Sequence, residues 1–257
     1  MATDLKSKIS IIVITRNRAN FISRAIQSVL DQSFSDWELI IIDDSSTDNT
    51  EEIVQSFVIK DSRIKYNKNS TLLGISANRN KGLFLTTGKY MAVLDSDDYW
   101  LDKDKLQKQY NFLENNPDFI LIGSNVRIID EKENFIKKTV WATEDSDIRK
   151  KILIKNQIAH SSVLIKTEAV KKVGGYDEKF SCVEDLDLFL KLGKIGKMKN
   201  LAEITTAYTR HSQGISQQRK KEMAWNHFKI VWKNFGQYPH WFTAILWAKL
   251  RLLKSLF

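Results

Sequence analysis

Residues 90–98 read Tyr90-Met91-Ala92-Val93-Leu94-Asp95-Ser96-Asp97-Asp98. The first five form an uninterrupted apolar run, the pattern of a strand buried on both faces. The run empties onto three carboxylates within four positions, which repel one another and push at least one of their pKa values up. A divalent cation with oxygen ligands relieves that conflict. Magnesium is commonly held by one or two carboxylates, with substrate phosphates completing its shell. Asp and Ser also cap helices, and a helix is predicted to begin near Leu101, so the cluster alone leaves a cap and a metal–diphosphate site both open.

Working outward, the same grammar recurs upstream. Ser10-Ile11-Ile12-Val13-Ile14 is a predicted buried strand ending at Thr15-Arg16-Asn17, and Leu39-Ile40-Ile41-Ile42 is another ending at Asp43-Asp44-Ser45. Between them Phe21, Ile22, Ala25, Ile26, Val29 and Leu30 have helical spacing over Ala19 to Asp31. Further helices are expected over Thr50 to Lys60 and Gly74 to Leu85, with a short strand at Ile64 to Tyr66. Alternating strand and helix predicts an α/β fold with a parallel sheet covered on both faces. In such sheets ligands collect beyond the carboxyl ends of the strands, where these polar groups lie. Asp43-Asp44 could simply open a turn. Neighbouring strand ends tipped with carboxylates nevertheless suit a sugar nucleotide better, since Asp44 can accept from a base N–H or a ribose hydroxyl. Downstream, the pattern predicts a helix from Leu101 to Asn115, strands over Phe119 to Ile129 and Ala159 to Ile165, a turn at Gly174-Gly175, and a helix over Val183 to Leu192.

Composition narrows the classes. The chain has 257 residues, 42% hydrophobic and 28% charged, as a globular α/β protein does. Its only cysteine, Cys182, excludes an internal disulfide framework and a thiolate zinc cage, and the expected compartment is reducing and cytoplasmic. Met1 to Ser10 lacks the apolar stretch of a signal peptide, so none is expected. No run reaches the roughly 18 apolar residues of a spanning helix. There is no G-x-G-x-x-G, no G-x-x-x-x-G-K-[ST] and no H-E-x-x-H, which disfavours dinucleotide dehydrogenases, P-loop enzymes and zincins. With two prolines and no Gly-rich linker, no internal break is apparent.

The ordered set of motifs resembles glycosyltransferase family 2, the inverting GT-A group that uses nucleotide sugars. It comprises Ile11 to Asn17, Ser28 to Phe34, Trp37 to Asp48, Gly74 to Gly82, the Asp95 cluster and Val183-Glu184-Asp185-Leu186-Asp187-Leu188, spread from about Ile9 to Ser216. The resemblance implies a GT-A fold, Rossmann-like, with a mostly parallel central sheet flanked by helices. Residues 1–216 would be the catalytic domain, with a nucleotide-binding half to about 100 and an acceptor half beyond it. It further implies that Thr15 and Asp44 floor the nucleoside pocket, that Asn17 and Arg79 contact the nucleotide, and that Asp95, Asp97 and Asp98 overlay an Asp-x-Asp motif. Asp97 and Asp98 are the expected ligands of Mn2+ or Mg2+. Asp185 would be the base that takes the acceptor's hydroxyl proton, beside Glu184. His211, in Tyr208-Thr209-Arg210-His211, would lie over the diphosphate, and His160-Ser161-Ser162 would line the acceptor side or simply pack in the core. The proline usual after the acidic cluster is missing, with Leu101-Asp102-Lys103 in its place.

The implied reaction is metal-dependent transfer of a hexose or N-acetylhexosamine from a UDP-sugar to a glycan or polyprenyl-linked acceptor in cell-surface polysaccharide synthesis. A sugar nucleotidyltransferase is the alternative, although the glycine-rich basic loop of that class is not evident at Ile14 to Ala19. A basic nucleic-acid-binding module is disfavoured by carboxylates at the strand ends.

Residues 217–257 form the predicted tail. They carry eight Lys and Arg against Glu222 alone, a net +7 of the chain's +9, so the basicity belongs to the tail. On a helical wheel Trp241, Phe242, Ile245, Leu246, Leu250, Leu252, Leu253, Leu256 and Phe257 span about half the circumference of a basic amphipathic helix. Such a helix suits the anionic inner face of a cell membrane, with the enzyme peripheral there. Packing on the domain, or on a second copy in a homo-oligomer, is the other reading.

Overall fold

The first apolar runs become the parallel part of the sheet. In the computed structural model, which describes residues 7–212, 214 and 218–255, β1 (Ile9–Thr15), β2 (Trp37–Asp43), β3 (Ile64–Lys68) and β4 (Tyr90–Val93) lie in the order β3-β2-β1-β4, all parallel. Thr15 is level with Asp43 and Ile12 with Val93. Three polar strand ends therefore share one rim. Helices α1 (Ile22–Leu30), α2 (Thr50–Val58) and α3 (Ile75–Leu85) make the crossovers. Helix α1 buries Ile22, Ala25, Ile26 and Val29 at the expected spacing. It starts later than predicted because the Arg18 carbonyl accepts from Phe21 and Ile22 N–H, closing residues 18–21 into a turn.

Past β4 the sheet is mixed. The chain forms β5 (Tyr99–Trp100), α4 (Lys105–Asn115), β6 (Phe119–Ile129), β7 (Phe135–Lys138), α5 (Asp145–Lys151), a 3-10 turn at His160–Ser162, β8 (Leu164–Lys166), α6 (Thr167–Lys172), α7 (Glu184–Gly193) and β9 (Lys197–Thr209). The order continues β4-β8-β6-β9-β5, with β7 on β6. Here β6 and β9 run parallel and the other pairs antiparallel. Helices flank the curled sheet as expected, while the parallel character is confined to the first half and the β6–β9 pair. The strand expected over Ala159 to Ile165 divides into the 3-10 turn and β8. The helix expected at Leu101 begins at Lys105, because Leu101 N–H donates to Thr205 O at 2.8 Å and prolongs the β5 pairing.

Alternate residues of β1 face opposite cores. Ile11 and Val13 pack with Val29, Leu39 and Leu106 on one side, and Ile12 with Met91, Leu186 and Phe189 on the other. The second core takes in the C-terminal helices α8 (Lys220–Lys233) and α9 (Trp241–Lys254) through Ile230, Val231, Trp241, Ala244, Ile245 and Ala248. The single apolar face predicted for the tail is thus split. Trp241 and Ile245 pack inward, whereas Phe242, Leu246, Trp247, Leu250 and Leu253 are exposed. Met1 to Lys6, Ser216, Gln217, Leu256 and Phe257, which entered the expectations above, lie outside the described residues. Among the described residues no helix is long and apolar enough to cross a membrane.

Candidate functional site

A cavity of about 970 Å3 opens beyond the rim shared by β1, β2 and β4, and its walls include Thr15, Asn17, Asp44, Arg79, the Asp95–Asp98 loop, Glu184, Asp185 and His211. All the sequence-predicted site residues therefore face one hollow, of the size that holds small-molecule ligands. At its β1 end the Thr15 hydroxyl is buried with no hydrogen-bond partner among the described residues. Asn17, at φ 51°, ties the strand ends together: its Oδ1 accepts from Thr47 N at 2.9 Å and its N–H donates to Ser46 Oγ at 2.9 Å. Asp44 accepts from Leu73 N (2.8 Å), Asn69 Nδ2 (3.0 Å) and Gly74 N (2.9 Å). Burial opposes its charge, but these hydrogen bonds prevail and keep the carboxyl below its usual value. Asp44 thus shapes the loop entering α3 as well as the cavity floor.

The acidic cluster separates into three roles. Asp95 accepts from Arg79 Nη2 at 2.9 Å. Burial pushes its pKa up, yet the Arg79 charge and further hydrogen bonds hold it below the ordinary range. Asp97 presents Oδ2 to His211 Nε2 at 2.7 Å, with Arg18 Nε at 3.6 Å. Asp98, expected as a metal ligand, has both oxygens engaged within the wall: Oδ1 accepts from Thr209 N at 2.8 Å and Oδ2 from Ser161 Oγ at 2.5 Å. Burial and the charges of Asp97 and Asp95 push its carboxyl well above the normal range. One carboxylate and one imidazole facing the hollow, Asp97 and His211, fit a magnesium or manganese ion whose other ligands are substrate oxygens and water. No group of three or more His, Cys, Asp or Glu arranged for an ion occurs among the described residues.

Across the cavity, α7 opens with Glu184-Asp185. Arg79, expected at the nucleotide, lines the cavity and spans the site: Nε donates to Glu184 Oε1 at 3.0 Å while Nη2 holds Asp95. Gly82 lets α3 come this close to β1, since a Cβ there would lie 2.6 Å from Ile12 Cγ2. Among the described residues Asp185 has one side-chain donor, Asn156 Nδ2, at 3.0 Å. Burial first, then the Glu184 charge, raises its pKa to about 7. His160 is buried against Tyr176 and Phe189, its Nε2 2.9 Å from Tyr176 Oη. Burial and the nearby Arg79 charge keep it neutral, so it packs as a core histidine at the cavity edge. Asn156, Arg18, Trp141, Arg219 and Met223 also line the hollow, and no motif in the sequence marks them as site residues.

The family model described as Glycosyl transferase family 2 matches residues 10–174. The chain is 34% identical over 189 residues to an uncharacterized glycosyltransferase of Methanocaldococcus jannaschii, an alignment covering 72% of this chain and 64% of that protein. It is 34% identical over 217 residues to the UDP-Glc:alpha-D-GlcNAc-diphosphoundecaprenol beta-1,3-glucosyltransferase WfaP of Escherichia coli, covering 84% of this chain and 82% of WfaP. Among solved structures, S. aureus TarS 1–349 in complex with UDP-GlcNAc superposes with a TM-score of 0.72 at 20% identity, covering 89% of this chain and 67% of that one. The mannosyltransferase PcManGT of Pyrobaculum calidifontis, in complex with GDP-Man and Mn2+, gives 0.71 at 16% identity, covering 97% and 70%. At those identities the likeness is one of fold.

Proposed function

The chain belongs to glycosyltransferase family 2, and from that premise we propose that it moves a sugar from a UDP-sugar to a hydroxyl of a glycan or polyprenyl-linked acceptor, with inversion, in polysaccharide synthesis. The observation that carries the reading is that one cavity is walled by Thr15 and Asp44 at one end, Asp97 and His211 between, and Asp185 opposite. The nucleoside lies against Thr15 and Asp44. Asp97 and His211 hold the divalent ion, which when bound neutralises charge growing on the departing diphosphate. Asp185, poised near neutrality and aligned by Asn156, removes the proton of the attacking acceptor hydroxyl from the side opposite the leaving group. Arg79 keeps Glu184 and Asp95 paired, so neither competes for that proton. The similar WfaP protein, named for a diphosphoundecaprenol-linked acceptor, and the exposed apolar face of α9 both support an acceptor presented at a membrane surface.

The test is transfer by the full chain from UDP-glucose and UDP-GlcNAc, with Mn2+, to a GlcNAc-diphosphopolyprenol. Asp185→Asn is expected to lose roughly 10²–10⁴-fold in turnover while UDP still binds. Near-normal turnover removes Asp185 from the mechanism, and wild-type protein that binds no UDP removes the donor assignment.

A further inference from the structure

Helix α8 meets the segment carrying Glu184 and Asp185 with three polar side chains. Glu222 Oε1 accepts from Ser181 Oγ, Asn226 Nδ2 donates to Cys182 O at 3.4 Å, and Lys233 Nζ pairs with Asp187 Oδ1 at 2.9 Å. At about 100° per residue these three positions fall within about 40° of one another. One edge of α8 therefore grips both sides of the acidic pair. Between the gripped residues stands Val183 at φ 60°, ψ 22°, a left-handed conformation that a β-branched residue adopts only where its surroundings enforce it. Asn226 and Cys182 are both buried, so that contact is made inside the packed protein, while Glu222 and Lys233 reach in from the half-exposed edge.

We propose that α8 is a positioning element of the active site, in which Asn226, assisted by Glu222 and Lys233, holds the strained Val183 turn that delivers Asp185 to the cavity. The claim rests on Asp185 being the base. Without the grip on the Cys182 carbonyl, Val183 relaxes to an ordinary conformation, and the two acidic residues after it rotate away. The groups that face Asp185 are Glu184 on α7, Arg79 on α3, Asp95 beyond β4, Tyr176 in the preceding loop and the Asn156 amide. Burial and the Glu184 charge are what hold its pKa up, so relaxation moves it down toward the usual carboxylate value.

Asn226→Ala in the full chain is expected to lower kcat about 10–100-fold with donor KM unchanged. The ascending limb of its pH–rate profile should move down by about one pH unit, and amide hydrogen exchange over residues 181–186 should quicken. Val183→Gly in that background should restore kcat and the limb, because glycine takes the left-handed conformation without strain. A wild-type limb and wild-type exchange over 181–186 in Asn226→Ala overturn the proposal, as does a double variant no better than the single one. Should Asn226→Ala not fold, Glu222→Ala, at the half-buried edge, is read in the same way. Normal turnover by Asp185→Asn sinks the base reading separately, and the exchange measurement then still decides the positioning claim.

Discussion

Asp98 is buried and Asp185 half-buried, and both carboxylates have raised pKa values, yet their partners differ. Asp98 spends its oxygens on Thr209 N and Ser161 Oγ, so it braces the wall. Asp185 accepts from the Asn156 side chain and the Leu186 backbone amide, and burial raises its pKa to about 7, where a base is both available and strong enough to act. Activity should therefore rise as pH climbs through about 7, and a pH–rate profile of the wild type checks this. The same shift has a stability consequence. The unfolded value is 3.8, so the unfolded chain releases this proton first. Stability owed to the group is complete below about 3.8 and is lost progressively as pH rises through about 7. Asp185→Asn carries no such proton and should melt several degrees above wild type near pH 8, with the gain vanishing near pH 4. Equal melting temperatures at both values would mean that Asp185 is not held in the raised state.

The elements differ in how far the sequence disclosed them. Strands β1, β2 and β4 are buried on both faces, so their continuous apolar runs were unambiguous, and their shared rim followed from parallel topology. Strand β9 escaped notice because Lys197, Lys199 and Glu203 interrupt it and its buried Thr205, Thr206 and Thr209 are polar. Strand β7 is exposed throughout. Arg79 was legible as a site residue but not as the link between Asp95 and Glu184, since no sequence pattern reports a pairing 105 positions apart. The wheel of α9 found its apolar residues but could not divide them between protein and solvent. Its inner face packs on α8, and its outer face, Phe242 (78% exposed), Leu246 (59%), Leu250 (43%) and Leu253 (54%), is bordered by Lys249 and Lys254. An apolar face edged by cations suits an anionic lipid surface. Phe242→Glu with Leu250→Glu should weaken binding to vesicles containing anionic lipid by roughly 10²–10⁴-fold, given about 1.5–3 kcal/mol for each of the two buried side chains. Thermal stability should hardly change, because both side chains already face water. Vesicle co-sedimentation at matched salt decides it, and undiminished binding removes α9 from the membrane contact.

For the whole molecule, the cavity lies on the seam between the parallel half and the mixed half of the sheet. The first contributes Thr15, Asp44, Arg79, Asp95 and Asp97, and the second contributes Asn156, Asp185 and His211. Hydrogen bonds from Ser161 and Thr209 to Asp98 already stitch the halves together. A donor lodged there touches both, so it binds the folded chain and not the unfolded one. At a hundred times its Kd such a ligand adds about 2.7 kcal/mol, which for a chain of this length raises Tm by about 5–10 °C. UDP with Mn2+ should give a shift of that size in the wild type, and a smaller one without the ion. Asp97→Ala and His211→Ala should each abolish the difference made by Mn2+ while keeping the metal-free shift, because Thr15 and Asp44 are untouched. Asp44→Ala should lower the shift whether or not the ion is present. If Mn2+ adds as much to Asp97→Ala as to the wild type, with Mn2+ alone as the control, the ion binds elsewhere and the pairing of Asp97 with His211 is only structural.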